Sequence, residues 1–141
     1  MPITYRDDLK ALPCDQLIRL FTEAGWHNEK NSQWDPVFNA PFIHSTLVVS
    51  AWDGERLVGC VRVLSDTVIR SVMYDLVVEK AYRKQGIATH LLKCCKSKYP
   101  GSEWLLQTEE RTVPFYEKQG FTLFSEPVMY VVSPTMTGKT E

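Results

Sequence analysis

The hydrophobic pattern of this chain changes period once, and the place where it changes restricts the possible folds more than any other feature. Three β-rich runs, Thr46 to Trp52, Arg56 to Leu64 and Val68 to Val78, alternate or are apolar throughout. They are joined by Asp53-Gly54-Glu55 and Ser65-Asp66-Thr67, turn-forming stretches short enough to make an antiparallel meander. After Glu79 to Gly86 the period becomes helical, with Ile87, Ala88, Leu91, Leu92 and Cys95 on one stripe until Tyr99-Pro100-Gly101 stops it. A short run from Glu103 to Thr108 follows. Strand, helix, strand is a crossover unit, so the run ending at Val78 and the run beginning near Glu103 are predicted to lie parallel and side by side. Because both faces of the strands carry large apolar residues, helices must cover both sides of the sheet. The predicted fold class is α/β, with a mixed, mostly antiparallel sheet.

The flanking segments complete this outline. Ile3 to Arg6 reads as an edge strand, and Leu17, Leu20, Phe21 and Ala24 form a helical stripe that Gly25 ends. From Trp26 to Ser45 the pattern is irregular, with Trp26, Trp34, Pro36, Phe38, Pro41 and Phe42 among polar residues, which reads as loops with a short helix. A last helix is predicted over Val113 to Gln119, with Pro114 in its first turn and Gly120 just past its end. Phe121 to Phe124 and Val128 to Val132 read as paired closing strands. Residues 1 to 132 are expected to form one domain. The polar stretch 133 to 141 has too few apolar residues to pack and is expected to be a flexible tail.

Composition removes several classes of function. A chain of 141 residues that is 44% apolar can bury a sufficient core without staples. Cys14, Cys60, Cys94 and Cys95 form no C-x-x-C pair and have no histidine at zinc-ligand spacing, so reduced thiols and no metal are expected. No apolar run approaches the roughly 18 to 20 residues of a membrane span, and no leader-like run stands near the start. A formal net charge of -1 does not favour non-specific nucleic-acid binding. The expectation is a cytoplasmic domain that engages neither membrane nor nucleic acid.

The chemistry is concentrated where the period changes, in Asp75-Leu76-Val77-Val78-Glu79-Lys80-Ala81-Tyr82-Arg83-Lys84-Gln85-Gly86-Ile87-Ala88. A buried strand there runs into a basic turn that opens a helix. Amides at a helix N-terminus have no intrahelical partners and sit at the positive end of the macrodipole, so they can hold a pyrophosphate. Gly86 lets the backbone come close, Ala88 keeps the second approach small, and Arg83 and Lys84 add positive charge. Neither a Walker loop nor a dinucleotide fingerprint is present.

Arg83-Lys84-Gln85-Gly86-Ile87-Ala88 resembles the [RQ]-x-x-G-x-[GA] pyrophosphate loop of the GNAT acyltransferase superfamily. About thirty residues later, Phe115-Tyr116-Glu117-Lys118-Gln119-Gly120-Phe121 resembles that family's F-Y-x-x-x-G-F segment, in a form similar to aralkylamine N-acetyltransferases. The resemblance spans roughly residues 46 to 132 and implies a strand pair that splays to admit the pantetheine arm of acetyl-CoA as a pseudo-strand. It implies that Leu76, Val77 and Val78 bind the acetyl and pantetheine portion through their backbone, and that Arg83, Lys84, Gln85, Gly86, Ile87, Ala88 and Thr89 surround the phosphates. Tyr116 stands where the family protonates or hydrogen-bonds the departing thiolate, although a packing tyrosine would occupy the same helix.

Asp75 interrupts an apolar strand, which suits either a general base or an ion pair with Arg62 or Arg70. Water, Glu109 or Glu110 are alternative routes for the proton. Tyr74 stands where the aralkylamine enzymes carry a histidine, and the family's N-x-x-A reads Glu109-Glu110-Arg111-Thr112, so one amide contact to pantetheine is lost or replaced. Trp26, Trp34 and Phe42 either line an acceptor pocket together with Tyr74 or pack in the core. His27, His44 and His90 read as surface or loop residues. The resemblance therefore implies transfer of an acetyl group from acetyl-CoA to a primary amine of a small molecule, with dimers common among relatives. Alternatives are a degenerate domain that holds CoA as a sensor or scaffold, and an enzyme acting on a peptide N-terminus or lysine.

Overall fold

The computed structural model describes residues 2–133. Its sheet has five strands in sequential order: β1 (Thr4–Arg6), β2 (Leu47–Asp53), β3 (Arg56–Ser65), β4 (Arg70–Val78) and β5 (Glu103–Leu105). The first four are antiparallel neighbours, and β4 and β5 run parallel through the registers Arg70↔Glu103, Ser71↔Trp104 and Val72↔Leu105. The crossover between them is α3 (Ile87–Lys98), as the period change requires. The mixed α/β class expected from the sequence is the class observed.

Alternation along the strands divides the core in two. Leu47, Val49 and Ala51 of β2 join Val58, Val61, Val63 and Met73 under Ile87, Leu91, Leu92 and Cys95 of α3. On the opposite face Val48, Trp52, Leu57, Cys60 and Val77 meet Leu17, Leu20 and Phe21 of α1 (Cys14–Glu23) and Phe42 of α2 (Ala40–Ile43). Each fully buried leucine here contributes about 1.5–3 kcal/mol by leaving water. Helices therefore cover both faces of the sheet. Gly59 sets how closely they approach: a Cβ there would lie 3.2 Å from the Val77 carbonyl oxygen and 3.4 Å from Ile87 Cγ2, so the first turn of α3 settles directly over β3 and β4.

Several boundaries differ from the sequence expectation for identifiable reasons. β4 starts at Arg70 rather than Val68, because Asp66 Oδ1 accepts the amides of Val68, Ile69 and Arg70 at 2.8–3.1 Å and holds them in a turn. The stretch Glu29–Val37 is a 3-10 helix, capped by Asn28 in a reciprocal capping box with Asn31. β5 ends at Leu105, not Thr108, and α4 (Val113–Lys118) stops one residue short of Gln119. Among the described residues the two closing strands, Phe121 to Phe124 and Val128 to Val132, are not formed. Glu126-Pro127 breaks the run between them, Pro127 offers no amide to a ladder, and Leu123, Val128, Met129 and Val131 lie exposed. The expected tail lies, from residue 134 on, outside the described residues. No helix among the described residues is long and apolar enough to cross a membrane.

Candidate active site

β5 pairs with β4 over only three positions, while β4 continues for six further residues, from Met73 to Val78. Among the described residues, no strand beyond Val72 lies against β4 on the side away from β3. A strand edge inside a fold is stable only when its amides and carbonyls find partners, so this gap favours an extended polar ligand. The same edge forms one wall of a groove; Leu106, Thr108, Phe115 and Tyr116 form the facing wall.

The strand is distorted where the groove begins. Cys60 pairs with Val77 and Arg62 with Tyr74, so Asp75 and Leu76 together oppose Val61 in a bulge. Asp75 takes φ 58°, in the left-handed region that a non-glycine residue rarely occupies. Its Oδ2 accepts from Arg62 Nε at 2.6 Å. Of the two ion-pair partners open from the sequence, Arg62 is the one used; Arg70 instead lies 3.8 Å from Glu103. The Arg62 guanidinium also stacks 4.9 Å above the Tyr74 ring and 5.9 Å from that of Phe42. Asp75 Oδ1 has no partner among the described residues, and the Asp75 side chain, 27% exposed, lines the groove.

At the end of β4 the chain turns through a short loop into α3. Lys84 at φ 66° and Gly86 at φ 84° are both left-handed, and Gly86 is the N-terminal cap. No side chain caps this 12-residue helix and no acidic residue stands in its first turn. The first internal bond is His90 N to the Gly86 carbonyl at 3.0 Å, so the amides of residues 86 to 89 remain uncommitted to the helix. A Cβ built on Gly86 would meet nothing within 4 Å, so the chain is open to the groove side at this residue, which itself borders the groove. The chemistry of this donor set suits a phosphate anion.

The predicted site residues assemble unevenly. Leu76, Val77, Val78, Arg83, Lys84, Gly86, Ile87, Ala88, Thr89 and Tyr116 all border the one groove, together with Tyr74, Trp26 and Trp34. Gln85 is on the loop but exposed and off the groove wall. Arg83 turns back, its Nε donating to the Val78 carbonyl at 3.0 Å. Thr89 Oγ1 accepts from Gln119 Nε2 at 3.2 Å, which links α3 to the end of α4. Phe42 borders the groove too, although it is only 1% exposed and packs with α1 in the core. Trp26, Trp34 and Tyr74 remain 42%, 39% and 42% exposed, and Trp26 stands edge-on to Phe21 at 5.4 Å.

Tyr116 is half-buried between Phe115 and Phe121, with ring centroids 5.0 and 5.8 Å away. Burial raises its phenol above the ordinary value of 10, a shift that a hydrogen bond with Thr108 partly offsets. It is therefore a neutral O–H donor at physiological pH. His27, read from the sequence as a surface or loop residue, is buried and pairs with Asp35 at 2.7 Å. His44 and His90 are exposed. Burial pushes the Cys60 thiol well up and that of Cys95 up to about 12, so neither is a nucleophile. Among the described residues no cluster of three or more His, Cys, Asp or Glu is arranged to hold a metal.

Sequence reasoning gave Arg62 only a partner's role and gave Glu79 none. A lone arginine within an apolar run was the available signal for the first. No signal marked the second, because its partners are distant in sequence.

An open strand edge leads into an uncapped helix N-terminus, and the half-buried Tyr116 borders the same groove, an arrangement that suits an extended ligand carrying an anionic group. Residues 44–123 match the family model described as an acetyltransferase (GNAT) domain, and the chain belongs to this family. Among solved structures it is similar to a GNAT-family acetyltransferase of Streptococcus pneumoniae, at 25% identity and TM-score 0.77, over 94% of this chain and 99% of that one. An acetyltransferase of Trypanosoma brucei (17% identity, TM-score 0.69, 93% and 100% covered) shares the fold. Glucosamine-6-phosphate N-acetyltransferase of Arabidopsis thaliana does so too (14%, 0.69, 94% and 100%). No curated protein matches the chain in sequence.

Proposed function

We propose that this domain transfers an acetyl group from acetyl-CoA to the primary amine of a small molecule, with both substrates bound at once. The observation that carries this reading is the continuity of the open β4 edge with the uncapped first turn of α3. An extended amide-bearing arm satisfies the first and a pyrophosphate satisfies the second. Lys84 adds a cation to the same wall, whereas Arg83 has its Nε committed to the strand end.

An alkyl amine with a pKa of about 10.4 arrives as an ammonium and must lose a proton before it attacks. In this reading Asp75 Oδ1 attracts that ammonium and passes its proton to water; the hydrogen bond from Arg62 to the other oxygen, which orients the carboxylate, supports the role. The amine nitrogen then bonds to the acetyl carbon. Backbone amides on the open side of β4 stabilise the negative charge on the acetyl oxygen. As the carbon–sulfur bond breaks with its electron pair on sulfur, the attacking nitrogen releases its second proton to water, the Tyr116 hydroxyl donates the proton that completes the free thiol, and the tyrosinate regains a proton from solvent. Trp26, Trp34 and Tyr74 offer aromatic surface for the acceptor's carbon skeleton.

A thermal-shift titration with acetyl-CoA, followed by thiol-release assays over alkyl, aryl, polyamine, aminoglycoside and peptide amines, tests the reading. A rise in Tm with acetyl-CoA and amine-dependent thiol release are expected. A rise without turnover on any amine would leave a CoA-binding sensor, and no rise at millimolar acetyl-CoA would overturn the assignment.

A further inference from the structure

We propose that Glu79 is a positioning residue for the phosphate-binding turn, a buried anchor that holds the uncapped start of α3 in its binding conformation before any ligand arrives. This rests on the reading of that turn as a pyrophosphate site.

Glu79 is the first residue after β4 and is only 7% exposed. Its Oε1 accepts from Arg19 Nη1 at 2.7 Å and from Arg56 Nε at 2.9 Å; its Oε2 accepts from Arg56 Nη2 at 2.9 Å. Arg19 projects from α1 and Arg56 opens β3, so one carboxylate joins three elements. Arg19 is itself fixed, its Nη2 donating to the Leu57 carbonyl at 2.8 Å. Burial alone would raise the carboxyl, but the hydrogen bonds from Arg56 and Arg19 outweigh it and hold the group below its usual range. The backbone is secured as well: Glu79 N donates to the Val58 carbonyl at 2.7 Å, and Tyr82 N to the Glu79 carbonyl at 2.8 Å.

Two further ties hold the same turn. Lys80 N donates to Glu23 Oε1 at the end of α1, at 2.7 Å, and Tyr82 Oη donates to Asp53 Oδ2 on the β2–β3 hairpin, at 2.6 Å. Residues 79, 80, 82 and 83 are thus pinned from behind. Among the described residues the side chains of Lys84 and Gln85 make no hydrogen bond that accompanies these ties, and Gly86 opens onto empty space. Rigid fastening on one side and uncommitted amides on the other is the arrangement of a preorganised anion site, which avoids paying conformational entropy at the moment of binding.

The test separates this role from general stabilisation by using two acyl donors, acetyl-CoA and acetyl-pantetheine, the second lacking the pyrophosphate. Glu79→Gln keeps the shape but removes the charge that joins Arg19 and Arg56; Asp53→Ala removes the Tyr82 tie from a residue outside the groove. Both variants are expected to raise KM for acetyl-CoA, Glu79→Gln by about tenfold or more, with kcat at saturation and kcat/KM for acetyl-pantetheine near wild type. Glu79→Asp is expected to recover part of the loss. Equal losses with the two donors, or an unchanged KM for acetyl-CoA in both variants, would overturn the proposal. Failure of wild-type protein to bind acetyl-CoA at all would instead overturn the functional reading beneath it.

Discussion

Replacing Tyr116 by phenylalanine removes one oxygen and leaves the ring between Phe115 and Phe121, so packing and chemistry separate cleanly. The structural loss is small, because the aromatic contacts with Phe115 and Phe121 remain. The chemical loss is a positioned proton donor, which contributes about 10²–10⁴-fold, or roughly 3–5 kcal/mol of barrier. Initial rates of thiol release with saturating amine should therefore fall by about 100-fold or more in kcat, while acetyl-CoA still raises Tm. The pH profile carries an independent sign. The donor works protonated and its folded pKa lies above 10, so wild-type activity should lose this contribution only as pH rises beyond 10; Tyr116→Phe should lack that falling limb. An unchanged kcat would refute the assignment and place the donor elsewhere. A parallel loss of kcat and acetyl-CoA affinity would mean that the hydroxyl is needed to shape the groove.

Gly86→Glu puts a side chain at φ 84°, costing about 1–2 kcal/mol, and aims a carboxylate at the amides meant for phosphate. The variant should fold, since its Cβ meets nothing, yet show no thermal shift with acetyl-CoA; a retained shift would contradict the phosphate assignment. Leu91→Ala empties a fully buried position beneath the sheet and should cost about 2–5 kcal/mol, read as a drop in Tm of roughly 10 °C. For Glu79 the folded pKa is depressed below the ordinary 4.5, so its contribution to stability is present above that value and is lost as pH falls through the folded pKa. Denaturant titrations of wild type and Glu79→Gln should differ at pH 7 and converge in acid; a constant difference down to pH 2 would contradict this.

The period change at Glu79 to Gly86 was enough to define the crossover, the parallel strand pair and the exposed helix start, because each follows from local spacing and from backbone groups that local sequence leaves unpaired. Tyr116 was singled out by the family resemblance, and its packing neighbours Phe115 and Phe121 are close in sequence as well as in space. Four features depended on packing beyond the local sequence. Asp75 had two candidate partners on adjacent strands, and only the bulge opposite Val61 brought Oδ2 to Arg62 rather than to Arg70. His27 looked like a loop residue, but it is buried by Phe38 and pairs with Asp35 when the irregular region folds over α1. The alternating runs at 121 to 132 satisfied the local rule for strands and still form none among the described residues, since a ladder needs a partner edge as well as the right residues. Glu79 is the clearest case: its two arginines come from positions 60 and 23 residues earlier, and a charge network of that reach exists only after α1, β3 and β4 have met.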